Sequence, residues 1–451
     1  MANTYILVGT TSSGTRTKWT TSFWVKRNNL SNENTIYGAY LDNDNKDKIA
    51  FNTDGTLQFA SFQASSYSNG GNLTTNRKFQ DTSAWYHIVC RWDSSNATAN
   101  DRMKIWVNGV EETSFASRTN PTSGRESLIN YQQVTAIGRI GSNYLDGCLS
   151  HVNFCDNQSY QASDFGETDS TTGEWKIKTS PSVSYGTTGY FILKNGNSLI
   201  DQSGLGNNFS LQGGTLTKTE DNPSNVFSTL NLLVPSGGGF ATQSSTFENG
   251  STKFTSANSS SNYGLTLSTL GMTTGKYYAE CKKISGNQGL IGIRGWQGTS
   301  SNNYLGDTSK DYAIYTDGKL YTNNTETNIG GTSYADNDII GVFVDCDNWK
   351  IYFSKNGSMM NTTGYTIGDI TADNNTRSLG AYFFGCCEWN SSGNGVWEWN
   401  FGNGAFGSSQ LTGTTYNGSD GNGIFKYDPN SITLDGSSKS FKSLSTKGLN
   451  A

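Results

Sequence analysis

Residues 338–357 read DIIGVFVDCDNWKIYFSKNG. Ile339, Ile340, Val342, Phe343 and Val344 form a short apolar run, Asp345-Cys346-Asp347-Asn348 make a polar turn, and Trp349 to Ser354 then alternate apolar and polar side chains. The pattern predicts a β-hairpin: one strand covered on both faces, then a half-exposed partner, closed by a second turn at Asn356-Gly357. A looser copy lies in the first half of the chain. Residues 84–93 (AWYHIVCRWD) and 101–109 (DRMKIWVNG) repeat the order of strand, polar turn, strand and Asn-Gly turn. Two such hairpins predict two β-sandwich cores, and neither hairpin carries a catalytic pattern.

Composition agrees. The 451 residues suffice for more than one domain, each with its own core. Only 15% of residues are charged, 12% are aromatic, and Gly reaches 53 while Pro stays at 5. Disordered chains lack aromatics and carry more charge, so this balance points to an all-β protein rich in turns. The net charge of -5 is well mixed and shows no Lys/Arg cluster, which argues against nucleic-acid binding. Apolar runs stay far below the ~20 residues of a membrane span. The opening MANTYILVGTTSSG has neither the basic nor the long apolar part of a signal peptide, so no host secretory route is expected. Seven cysteines without a C-x-x-C pair are expected to be reduced and buried, with adjacent Cys386 and Cys387 on opposite faces of a strand.

Along the chain, residues 1–220 read as a first sandwich. Strands are expected at SFWVK (22–26), in a hairpin closed at Asp54-Gly55 (48–62), around Trp85 and Trp106, and at 136–154, with one helical turn at 159–165. Pro and a Gly run make 221–239 (DNPSNVFSTLNLLVPSGGG) the expected linker. A second sandwich is expected over 240–405, with strands at 276–282, 289–294, 311–323, 378–384 and 396–401. Residues 406–451 form a polar, Gly-rich C-terminal arm with one strand candidate at 431–434.

These residues carry a resemblance. SFWVKR (22–27), AWYHIVCRWD (84–93), KIWVNG (104–109), the span from Ile137 to Gln158 that includes YLDGCLSHVNFCDNQ, FGETDSTTGEWKIK (165–178) and DQSGLGNNF (201–209) resemble the concanavalin A-like, laminin-G-like jelly rolls of many virion-associated proteins of tailed phages. GKYYAE (275–280), IGI (291–293), YTDGKLY (315–321) and residues 338–357 resemble a SPRY domain. The ending FKSLSTKGLN is similar to phage chains that join the two folds. The resemblance spans most of the chain and specifies architecture better than ligand. It implies a phage virion protein, assembled in the host cytoplasm and displayed on the particle. It also implies other virion proteins and host-surface glycans as partners, and a homo-oligomer, with a trimer as the first expectation.

Glucanases on the concanavalin A-like fold set carboxylates in a Glu-x-Asp-x-x-Glu spacing on one strand face, near the separation hydrolysis needs. Glu167-Thr168-Asp169 approaches it, but Thr172 stands where the second Glu should be. No catalytic residue is expected, and a polysaccharide depolymerase is the least favoured function. His87 and His151 each fall in a predicted strand with no partners for a triad or zinc site, so both read as structural. Asp42, Asp44 and Asp47 cluster oxygens on one loop and make a calcium site an alternative to a solvated turn; no other cofactor is implied. Asp345 with Asp347 is a weaker version of the same idea. Trp296 and Tyr304 (GWQGTSSNNYLG) and Trp389 (CCEWNSSGNG) sit on polar segments where no core demand is obvious. Their rings could stack on sugars, or could cap the ends of the sandwich. Trp85, Trp106, Trp349, Trp397 and Trp399 lie in strand patterns and read as core or sheet-face residues. The favoured function is a tail- or head-fibre-like adhesin that binds host glycans. The alternative is a decoration protein making only virion contacts, which the absence of a shaft ahead of the first sandwich would favour.

Overall fold

The structure is a computed structural model. It describes residues 3–8, 12–131, 135–232, 245–256, 263–297, 304–389 and 394–450. Strands hold 47% of the protein and helices 3%. The chain divides into two compact units, Met1–Lys218 and Thr219–Ala451.

The first unit is a sandwich of an eight-stranded and a six-stranded antiparallel sheet. The larger sheet runs Phe115–Thr119, Ser66–Lys78, Thr56–Gln63, Lys46–Phe51, Asn34–Tyr40, Thr135–Ile137, Tyr5–Val8, Phe209–Gln212. The smaller runs Tyr190–Ile192, Gly147–Asp156, Lys18–Arg27, Tyr86–Asp93, Met103–Val107, Val110–Glu111. Period two decides what goes inside. In KDKIAF, Ile49 and Phe51 enter the core while Lys46 and Lys48 stay partly exposed. Trp19, Phe59, Trp92 and Phe154 meet at the centre, with Trp19 and Trp92 stacked at 6.5 Å. The Asn-Gly turn is explicit in the backbone: Asn108 and Gly109 have φ of 47° and 85°, the left-handed pair a two-residue hairpin requires. A short helix, Ala162–Phe165, falls where a helical turn was expected.

The second unit pairs a nine-stranded sheet with a six-stranded one. The first is built on Val396–Asn400, Lys276–Ser285, Ile339–Asp345 and Lys350–Lys355. The second runs Tyr263–Leu267, Ser378–Trp389, Gly289–Trp296, Asp311–Tyr315, Leu320–Thr322, Thr325–Thr327. Between them lie Ile291, Ile293, Ile314, Val342, Val344, Phe384, Trp397 and Trp399.

The 338–357 hairpin forms, with two corrections. Trp349 is not the first strand residue: it closes the turn with φ of 52°, and the strand begins at Lys350. The second strand is also not half-exposed, since Ile351, Tyr352, Phe353 and Ser354 are all buried. The cover is the C-terminal arm. Phe425, Leu434 and Phe441 pack on Tyr278, Phe343 and Tyr352, the outer face of the larger sheet.

Polar contacts fix the arm. The Glu280 carboxylate accepts hydrogen bonds from the Lys426 and Tyr427 backbone N–H groups at 3.0 and 2.8 Å, from Asn400 at 2.9 Å and from the Tyr278 hydroxyl at 3.0 Å. Lys439 binds the buried Asp345 carboxylate at 2.8 Å. Lys442–Ser443 then adds a parallel strand to Lys276–Ser285. The stretch expected as a linker behaves the same way in its described part: Phe227 and Leu230 are buried in the second unit, and Phe227 bridges to Ser445. Residues 233–239 of that expected linker lie outside the described residues. Apolar side chains spaced through polar sequence made both segments read as loops.

Six of the cysteines are buried as expected while Cys148 is only half-buried, and Cys386 and Cys387 face opposite ways, one into the main core and one outward.

Candidate functional site

The outward face of the second unit's six-stranded sheet is built by the same alternation. In DYAIY (311–315), Tyr312 and Ile314 enter the core, which turns Asp311, Ala313 and Tyr315 the other way. Register then assembles neighbours on that face. Leu290 lies opposite both Cys387 and Tyr315, Ala313 opposite Tyr321, and Leu265 opposite Cys387. Leu265, Leu267, Leu290, Leu305, Ala313 and Cys387 make an apolar floor, and four half-buried tyrosines, Tyr263, Tyr304, Tyr315 and Tyr321, pack against it. The rings form a belt. Tyr263 and Tyr304 have centroids 5.0 Å apart, and Tyr315 and Tyr321 5.7 Å apart. Gly306 joins the pairs: a Cβ there would meet the Tyr304 ring at 3.3 Å and the Tyr321 Cβ at 2.8 Å.

The loop carrying Tyr304 is pinned from below. Arg294 and Asp311 stand opposite each other on adjacent strands and are almost wholly buried, at 2% and 0% side-chain exposure. The guanidinium donates through Nε at 3.0 Å and Nη2 at 2.5 Å to the carboxylate, and through Nη2 at 2.5 Å to the Tyr304 carbonyl. Asp311 also accepts the Gly306 and Thr308 backbone N–H groups at 3.2 and 3.4 Å. An ion pair with its remaining donors and acceptors used this fully is rigid, and here it fixes residues 304–308 over the sheet. At the edges, the Tyr304 hydroxyl donates to Asn324 and the Tyr321 hydroxyl to Glu326 at 3.0 Å. Burial raises the hydroxyl pKa of all four tyrosines, to about 12 for Tyr304 and Tyr321, so the belt stays uncharged over the physiological range.

The sequence-predicted residues scatter. Tyr304 belongs to this belt. Trp389 ends the Ser378–Trp389 strand with its backbone paired to Tyr263, while its side chain lies outside the described residues. Trp296 is elsewhere: it packs against the main core, its indole N–H donates to Asp373, and Arg377 sits 5.5 Å above its ring. A covered ring of this kind caps the sandwich. Tyr263, Tyr315 and Tyr321 were missed; the signal was present in DYAIY, where two tyrosines three positions apart must face opposite sides of a strand.

Asp42, Asp44 and Asp47 do not converge. Asp42 accepts the Asp44 backbone N–H at 2.9 Å and the Asn45 amide, Asp44 accepts the Ser65 hydroxyl, and Asp47 turns inward to Ser127 Oγ at 2.7 Å and the Leu128 N–H at 2.6 Å. The reason is parity: Asp47 is already in a strand and shares the inward side with Ile49. Among the described residues no three His, Cys, Asp or Glu side chains group as metal ligands. Asp345 and Asp347 likewise hold the arm's Lys439 and Lys276.

Glu167 and Asp169 sit on an exposed hairpin, both paired with Lys176, at 3.4 and 3.3 Å. His87 is buried in the first unit with both nitrogens engaged. The Trp175 indole N–H reaches Nδ1 at 3.0 Å; an indole only donates, so the imidazole proton is on Nε2, facing Ser22 Oγ at 2.8 Å. Burial drives its pKa down to about 3.

Two family models match the chain: the concanavalin A-like lectin/glucanases superfamily over residues 1–162, and the SPRY domain over residues 265–384. No curated protein matches it. Among solved structures, the SPRY domain of human HERC1 is 17% identical, with a TM-score of 0.29 over 38% of this chain and 94% of that one. A human SPRY domain is 18% identical, at 0.27 over 33% and 90%. The heptameric SAP-like pentraxin from Limulus polyphemus is 17% identical, at 0.27 over 35% and 72%.

Proposed function

We propose, from the premise that the chain joins a concanavalin A-like domain of laminin-G type to a SPRY domain, that it is a non-enzymatic adhesin of a phage particle, binding host-surface glycans. Domains of these two kinds are mainly binding modules, for carbohydrate or protein. The observation that carries the glycan reading is the tyrosine belt on a rigid sheet, anchored by the Arg294–Asp311 pair. Half-buried aromatic rings over an apolar floor lose little entropy on binding and match the C–H faces of pyranose rings. The setting on a virion, as a homotrimer among other virion proteins, is supported by the resemblance of the two halves to tailed-phage proteins. Several copies per particle would multiply a weak single-site affinity.

The test is binding of the full-length protein to intact host cells before and after periodate oxidation of surface sugars. Binding should fall on oxidation, and Tyr315→Ala should weaken it about tenfold, or ~1.4 kcal/mol, while Trp296→Phe leaves it unchanged. Binding that survives periodate, or none at saturating protein, would move the function to virion-only contacts.

A further inference from the structure

Resting on the glycan reading above, we infer that the belt takes an uncharged oligosaccharide several rings long and rejects acidic polymers. The first argument is extent. Tyr263 lies on the first strand of the sheet and Tyr321 on the fifth, with three strands between. Four inter-strand steps of ~4.8 Å span about 19 Å, more than a single sugar ring can cover. Tyr304 and Gly306 make the path continuous from one end to the other. A monosaccharide would use one ring pair; a chain can use both.

The second argument is charge. Recognition of a carboxylate or sulfate calls for an Arg or Lys with donors to spare. Arg294 is buried and already spans Asp311 and the Tyr304 carbonyl. Lys319, beside the Tyr315–Tyr321 pair, is shared by Glu326 at 3.0 Å and Asp317 at 3.6 Å. Arg377, the remaining nearby cation, stacks on Trp296. Against these stand Asp307, Asp317, Glu326 and Glu388, each close enough to raise a belt tyrosine's pKa by its charge. With Arg294 and Asp311 cancelling, carboxylates outnumber cations around the belt. The edge of the belt is slightly acidic, and its cations are engaged. An anionic glycan would meet repulsion without a compensating guanidinium; a neutral one needs only ring stacking and hydroxyl contacts from the Asn324 and Glu326 edge.

The experiment uses the full-length protein and glycans released from the host envelope, split by anion exchange into neutral and acidic pools and then sized. Calorimetric binding should be confined to the neutral pool. It should strengthen at least tenfold from the shortest fraction to fractions that fill the belt, and change less than twofold with added salt. The double variant Asp317→Lys/Glu326→Lys should gain at least tenfold for the acidic pool. Tighter binding of the acidic pool, or affinity independent of size, would overturn this inference and leave the glycan reading standing. Binding of neither pool would overturn both.

Discussion

His87 gives the first unit a specific acid sensitivity. Its imidazole is buried and neutral, accepting the Trp175 indole N–H on Nδ1, and its ring contacts Trp24 at 4.9 Å. Protonation of Nδ1 would place two donors face to face in a buried site. The folded pKa of about 3 lies below the ordinary 6.5. The sign follows from linkage: below pH 6.5 the unfolded chain takes up a proton that the folded chain refuses. The contribution is therefore fully present above pH 6.5 and is lost as pH falls toward 3. At ~1.36 kcal/mol per unit, the loss is about 2 kcal/mol at pH 5 and about 3 kcal/mol at pH 4. His151, pushed down to about 4 by burial, adds a smaller term of the same sign.

Hydrogen exchange of peptides covering Tyr86–Asp93, corrected for intrinsic rates, reports the opening free energy of this unit alone. His87→Gln keeps one acceptor and one donor but does not titrate. Between pH 7 and pH 4 the wild type should lose about 3 kcal/mol more than the variant. Parallel pH dependences for the two proteins would refute the assignment of both the tautomer and the buried neutral state.

Two further perturbations test the second unit. Arg294→Met leaves the Asp311 carboxylate buried and unpaired, so urea unfolding should show a loss of about 3–5 kcal/mol, with residues 304–308 becoming protease-sensitive first. Glu280→Gln offers one oxygen where four donors now share two, and should cost about 2–3 kcal/mol; limited proteolysis after Lys426 and Lys439 should accelerate well before the sandwich itself is cut.

The sandwiches were legible because their central strands are apolar or alternating runs, and because turns such as Asn108-Gly109 and Asn356-Gly357 admit few other conformations. The arm was not legible. Phe425, Leu434 and Phe441 stand far apart among Gly, Ser and Asn, and only the outer face of a sheet already formed gives them one direction to point. The candidate site was half legible for a related reason. Tyr304 stood out because it lies on a polar loop, whereas Tyr263, Tyr315 and Tyr321 sit in strands and look like core until register shows which side the core occupies. Trp296 looked like a loop aromatic, whereas it ends the strand Gly289–Trp296 and Arg377 sits over its ring.

The closing strand of each unit sets a timetable for synthesis. Tyr5–Val8 pairs with Phe209–Gln212, so the first sandwich can be completed once about half of the chain has left the ribosome. In the second unit, Lys276–Ser285 receives Lys442–Ser443 from far later in the sequence. At ~5–20 residues per second, the strand Lys276–Ser285 waits roughly 8–30 s for that partner. During this interval Tyr278, Phe343 and Tyr352 lack the arm that later covers them. The nascent chain thus carries one finished sandwich and one with an open apolar face, which closes only when the arm emerges.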